Sequence, residues 1–139
     1  EYEKAMNRFA VPILFYSPNP KYNLKGEIST PTQQMDIYQT LADLMGYNKK
    51  IRSWGRSLVS DKKEDHLIVN SSGVEQFIIG DFIYLFDGKN FTGIYKLDDL
   101  GYENNLLGKI NTPEIKLGEL KAKAWYQDYM NRVINRKLN

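Results

Sequence analysis

The sequence predicts a mixed fold, α/β to α+β. A strand and a helix come first, and a four-stranded antiparallel sheet covered by a C-terminal helix follows. Three observations predict it. Four short β-rich runs between His66 and Leu97 have turn residues at their joints, which is the spacing of hairpins. Lys116–Lys137 carries an apolar stripe at helical period. Ahead of both, an apolar run at Phe9–Tyr16 and an amphipathic stretch at Gln34–Met45 read as strand and helix.

In chain order, Phe9–Tyr16 reads FAVPILFY, a near-continuous apolar run closed by Ser17-Pro18-Asn19-Pro20. Apolar side chains of both parities suit a strand buried on both faces. Pro12 lacks an N–H and fits only a strand start or an edge. The loop Ser17–Ser29 is polar and belongs on the surface. In Gln34–Met45 the stripe is Met35, Tyr38, Ala42 and Met45, with Ile37, Leu41 and Leu44 beside it, and Gly46 stands where a left-handed C′ residue is wanted. Two helix starts compete. Thr30-Pro31-Thr32-Gln33 is a formal capping box with proline at N1, and Asp36 is a second candidate N-cap. Trp54-Gly55-Arg56 lies in a loop. The mixed-charge run Asp61–Asp65 is a solvated turn, which divides the chain into 1–60 and 61–139.

The β-rich runs are His66–Asn70, Glu75–Ile79, Phe82–Phe86 and Phe91–Leu97, joined at Ser72-Gly73, Gly80-Asp81 and Asp87-Gly88. Gly93 inside the last run signals a bulge or a close backbone approach. Asp98–Pro113 is rich in turns. In the final helix Ala122, Tyr126, Tyr129, Met130 and Val133 share a stripe flanked by Trp125 and Ile134. Lys121, Asp128, Asn131, Arg132 and Asn135 lie opposite. Such a helix can cover one face of the sheet.

Composition removes several function classes. A chain of 139 residues is one domain's worth and long enough to bury a core without staples. It is 42% hydrophobic and 26% charged, which is globular rather than disordered. Nineteen basic residues against seventeen acidic ones leave +2, too balanced to imply nucleic acid or an anionic membrane surface. Cysteine is absent, which excludes disulfides, thiolate metal sites and cysteine nucleophiles. No apolar run reaches the roughly 18 residues of a membrane span. The chain opens Glu-Tyr-Glu-Lys without methionine or signal peptide, and we read it as a piece of a longer protein.

Chemical motifs are sparse. No phosphate-binding glycine loop, dinucleotide fingerprint or nucleophile elbow occurs. A Ser-His-Asp triad has only His66 to draw on, and a histidine opening a strand after a charged loop reads as a surface residue. Asp61, Glu64, Asp65 and His66 are close in sequence but have no metal-ligand spacing. Asp98-Asp99 reads as a turn. Aromatics on the strands (Tyr84, Phe86 and Tyr95) read as cross-strand pairs rather than an RNA platform. From the residues alone, catalytic, cofactor-binding and metal sites are all expected to be absent from this stretch.

Three stretches, in order, resemble the C-terminal end of the sulfatase and lipoteichoic acid synthase-like branch of the alkaline phosphatase superfamily. Arg8–Pro18 is similar to a family strand in which "VP" precedes apolar residues and a proline. Gln34–Gly46, QMDIYQTLADLMG, is similar to Q-x-D-x-x-P-T-L-x-x-L-x-G; Gln34, Asp36, Thr40, Leu41, Leu44 and Gly46 keep the pattern, and Gln39 replaces the proline. The WGRSLVS at Trp54–Ser60 resembles the G-x-S-L that follows this helix. Tyr84–Leu107 is similar to the sulfatase tail, with Leu97, Asp98, Glu103, Asn105 and Leu106 in order and Leu100-Gly101 where an Asp-Pro pair is usual. The last helix looks like the terminal helix of lipoteichoic acid synthase-like proteins.

The resemblance implies a terminal strand and helix of an alkaline-phosphatase-like domain at 1–60 and a small antiparallel subdomain at 61–139. It implies a parent that is an enzyme: a sulfate or phosphate ester hydrolase, or a phosphoglycerol- or phosphoethanolamine-type transferase. The parent's nucleophile and its divalent metal (Mn, Mg, Ca or Zn), held by Asp and His ligands, are expected upstream of Glu1. None of those residues maps onto this sequence, so the stretch alone is expected to be structural and inactive. The parent is expected in the bacterial cytoplasmic membrane with this region outside the cytoplasm. The expected partners are the upstream catalytic domain and, through Phe9–Tyr16, a second copy of the chain, with no nucleic acid. The competing reading is a polysaccharide- or peptide-binding module that stacks ligand on Tyr84, Tyr95 or Trp54.

Overall fold

The computed structural model describes residues 11–60, 66–71 and 73–137. The chain divides into two compact units, Phe9–His66 and Leu67–Asn139.

The first unit contains one helix, α1 (Gln34–Leu44). Neither expected N-cap is used. The cap is Gln33, whose extended backbone precedes the helix, and Asp36 occupies N3. There the Asp36 carboxylate accepts the Gln33 N–H at 3.0 Å, so the acid reaches back to the cap instead of forming it. At the other end Gly46 has φ +73°, the Gly46 N–H donates to Asp43 O and the Tyr47 N–H to Ala42 O. Those two bonds make a Schellman motif, which needs glycine at C′ because a Cβ penalises that conformation. The strand expected at Phe9–Tyr16 is not formed over its described part. Among the described residues Val11–Tyr16 has no ladder partner, and only Ile13 and Phe15 of it are half-buried. A short 3-10 turn, Pro20–Tyr22, follows, capped by the Asn19 side chain accepting from the Lys21 N–H.

The second unit is a four-stranded antiparallel meander: β1 (Leu67–Ser71), β2 (Glu75–Ile79), β3 (Phe82–Phe86) and β4 (Phe91–Lys96), in sheet order 1-2-3-4. Its register sets Phe77 opposite both Val69 and Tyr84, and Tyr84 opposite Ile94. These residues share a parity and one face of the sheet. At Asp87 the side chain accepts the Lys89 and Asn90 N–H groups at 2.8 and 2.7 Å, a self-satisfied turn that fixes the β3–β4 hairpin. Leu85 pairs with Gly93 but Phe86 with Phe91, so Thr92 is the extra residue of a bulge. The bulge read into Gly93 lies beside it, at Thr92, and what approaches Gly93 is the Tyr95 ring, with which a Cβ there would collide.

Helix α2 (Pro113–Ile134) starts three residues before the expected Lys116. Thr112 is its N-cap, accepting the Ile115 N–H at 3.3 Å, and Pro113 fills the first position, where its missing N–H costs nothing. Ile115, Gly118 and Ala122 face Phe77, Ile79, Tyr84, Phe86 and Ile94 in one core, with Trp125 and Tyr126 packed at its margin. The buried stripe therefore lies nearer the helix N-terminus than the sequence pattern placed it. Val133 and Ile134, expected inside, are exposed. Arg132, expected on the solvent side, is largely covered and pairs with Asp128 at 2.6 Å. The register is set at Gly118, where the Tyr84 ring occupies the space a Cβ would need. Beyond β4 the chain folds back along its outer edge. Asn105 Oδ1 accepts the Ile94 N–H at 3.1 Å and the Leu106 N–H donates to Ile94 O at 2.7 Å, closing part of an edge that would otherwise offer free backbone groups.

A buried carboxylate joins helix and loop

In the first unit the polar groups converge at Asp36. Its position in the first turn of α1 turns the carboxylate inward, and the residue is 0% exposed. One oxygen accepts the Gln33 N–H; the other accepts the Arg56 N–H at 2.9 Å, from a residue twenty positions later. One helical turn on, Thr40 is also 0% exposed. Its hydroxyl donates to Asp36 O at 2.6 Å and accepts the Leu58 N–H at 3.0 Å. Spacing i, i+4 puts both side chains on the same face of α1, so the loop Trp54–Leu58 is stitched to the helix at two successive turns. The loop comes this close because residue 55 is glycine: a Cβ would overlap the Met35 carbonyl. Ser53 Oγ accepts the Gly55 N–H at 2.9 Å and shapes the approach.

His66 closes the cluster. Its Nε2 lies 3.4 Å from Asp36 Oδ2, within ion-pair range but long for a hydrogen bond, and its side chain is 12% exposed. The surface histidine expected from sequence is thus largely covered. Burial holds its pKa below 6.5, the Arg56 guanidinium pushes the same way, and Asp36 opposes both. The rest of the candidate metal run, Asp61–Asp65, lies outside the described residues. Among the described residues no group of three His, Cys, Asp or Glu side chains is placed to hold a metal ion.

The arrangement supports structure more than chemistry. A general base or metal-ligating carboxylate needs a lone pair facing its target. Both Asp36 oxygens already accept backbone N–H groups, and no part of the residue meets solvent. A nucleophilic hydroxyl needs a base; the Thr40 proton is given to a backbone carbonyl. Of the three aromatic residues singled out for ligand stacking, Tyr84 and Tyr95 are buried and Trp54 is half-buried. Tyr84 is fully buried beneath α2, and its phenol pKa is pushed up to about 12, by burial first and by Glu114 and Glu119 after it. Tyr95 is buried against Tyr102, ring centroids 4.9 Å apart. Neither offers a ring face to a ligand. Asp98-Asp99 is a turn as expected, with the Asp99 carboxylate accepting the Glu103 and Asn104 N–H groups.

Sequence reading missed the convergence of Asp36, Arg56 and His66. A signal for it was present in the pairing of an inward Asp and Thr at i, i+4 with a Gly-x-Ser-Leu downstream. No described helix is long and apolar enough to cross a membrane. No family model, no curated protein and no solved structure is found to match the chain.

Proposed function

We propose that this chain is the C-terminal part of a membrane-anchored, metal-dependent enzyme of the sulfatase and lipoteichoic acid synthase-like kind, and that its own role is to complete and brace the fold. One observation carries the reading. The residues on which the resemblance to that family rests are physically interdependent: Asp36 and Thr40 hold the Gly55–Leu58 backbone, Gly55 admits it, and Gly46 terminates the same helix. Residue types scattered by chance would have no reason to interlock in this way. In the third stretch, Asn105 and Leu106 likewise bond to the backbone of β4. Asp36, Thr40, Gly46, Gly55, Asn105 and Leu106 each have a structural duty, which is the division of labour the proposal requires. Transfer or hydrolysis of a sulfate or phosphate ester needs an activated nucleophile and a Lewis acid, and the proposal assigns both to the region upstream of Glu1.

Two measurements test it. The purified 139-residue chain, assayed on aryl phosphate, aryl sulfate and phosphatidylglycerol with Mn²⁺, Mg²⁺, Ca²⁺ or Zn²⁺, should show no turnover. The reading frame upstream of Glu1 should encode membrane spans, a Ser- or Thr-centred nucleophile and an Asp-His pair. Turnover that disappears in His66→Ala, or an upstream frame without those features, refutes the proposal.

A further inference from the structure

We draw no further inference here: the strongest candidate, the exposed stripe Tyr38, Leu41 and Met45 along α1, is an unpartnered apolar face, and nothing in the structure shows what covers it.

Discussion

The two units of this chain solve the same problem with opposite materials. In Leu67–Asn139 the sheet buries Phe77, Tyr84, Phe86 and Ile94 under a helix that meets them with Ile115, Gly118 and Ala122. Apolar residues point inward, and the stabilisation comes from area removed from water. In Phe9–His66 the helix is turned the other way. It buries Asp36, Thr40 and one small apolar residue, Ala42, with Gln33 just before them, and leaves Tyr38, Leu41 and Met45 in one exposed stripe. Its inward contacts are side-chain bonds to the backbone of a loop. Such bonds are directional and few, so that unit depends on individual residues where the other depends on an ensemble of contacts.

Each unit holds one of the two tryptophans, Trp54 in the first and Trp125 in the second, so single-tryptophan variants made with phenylalanine report the units separately. The largest effect is expected in the apolar unit. Phe77→Ala removes a fully buried ring that packs edge-on against Trp125 at 5.7 Å between centroids. Deleting a buried phenylalanine costs about 3–5 kcal/mol, the spread reflecting how far the cavity collapses. Denaturation followed by Trp125 fluorescence should show that loss, while hydrogen exchange at the α1 amides stays unchanged. Equal loss of protection in both units would mean that they fold as one and that the contrast drawn here is superficial.

A smaller loss, confined to the first unit, is expected from Asp36→Ala. It strips the acceptor from the Gln33 and Arg56 N–H groups together. Leaving a covered donor unpaired costs about 1–3 kcal/mol; the Gln33 bond is buried but the Arg56 bond only partly so, and the unit should lose about 2–4 kcal/mol. Asp36→Asn should recover little, because whichever way the amide turns, its NH₂ meets a donor. Trp54 fluorescence against denaturant checks both. A neutral Asp36→Asn would show that only one of the two bonds matters.

The same contrast explains what could be read from sequence. The strands Glu75–Ile79 and Phe82–Phe86 fall where the turn residues put them, because in that unit alternation and burial agree. Helix α1 was legible as a helix, since period 3.6 survives whichever face is buried. Which face goes inside was not legible. The rule that the apolar stripe faces the core failed at Tyr38, Leu41 and Met45, since a carboxylate and a hydroxyl with backbone partners twenty and eighteen residues away outbid it. Those partners sit on a loop whose approach depends on a single glycine, and no periodicity encodes that. Phe9–Tyr16 failed for a related reason. Apolar composition states what a strand would bury, not whether a neighbour is at hand to bury it.

The smallest expected effect is a pH dependence of the first unit, and it rests on His66. In the unfolded chain the imidazole takes up a proton near 6.5. In the folded unit burial and Arg56 together outweigh the attraction of Asp36 and hold the pKa lower. Between the two values the unfolded state binds more protons than the folded one, so stability rises with pH across that window. The contribution is fully present above 6.5 and is lost as the pH falls through the window towards the folded value. Had Asp36 prevailed, the slope would have the opposite sign, and the unit would gain stability on acidification. His66→Gln removes the titrating group and should flatten the slope while leaving the Asp36 bonds to Gln33 and Arg56 in place. Midpoints of Trp54 unfolding, measured from neutral to mildly acid pH in both proteins, decide it. A slope that survives His66→Gln would place the titration on a carboxylate elsewhere in the unit, and a slope of reversed sign would make His66–Asp36 an ion pair in the folded state.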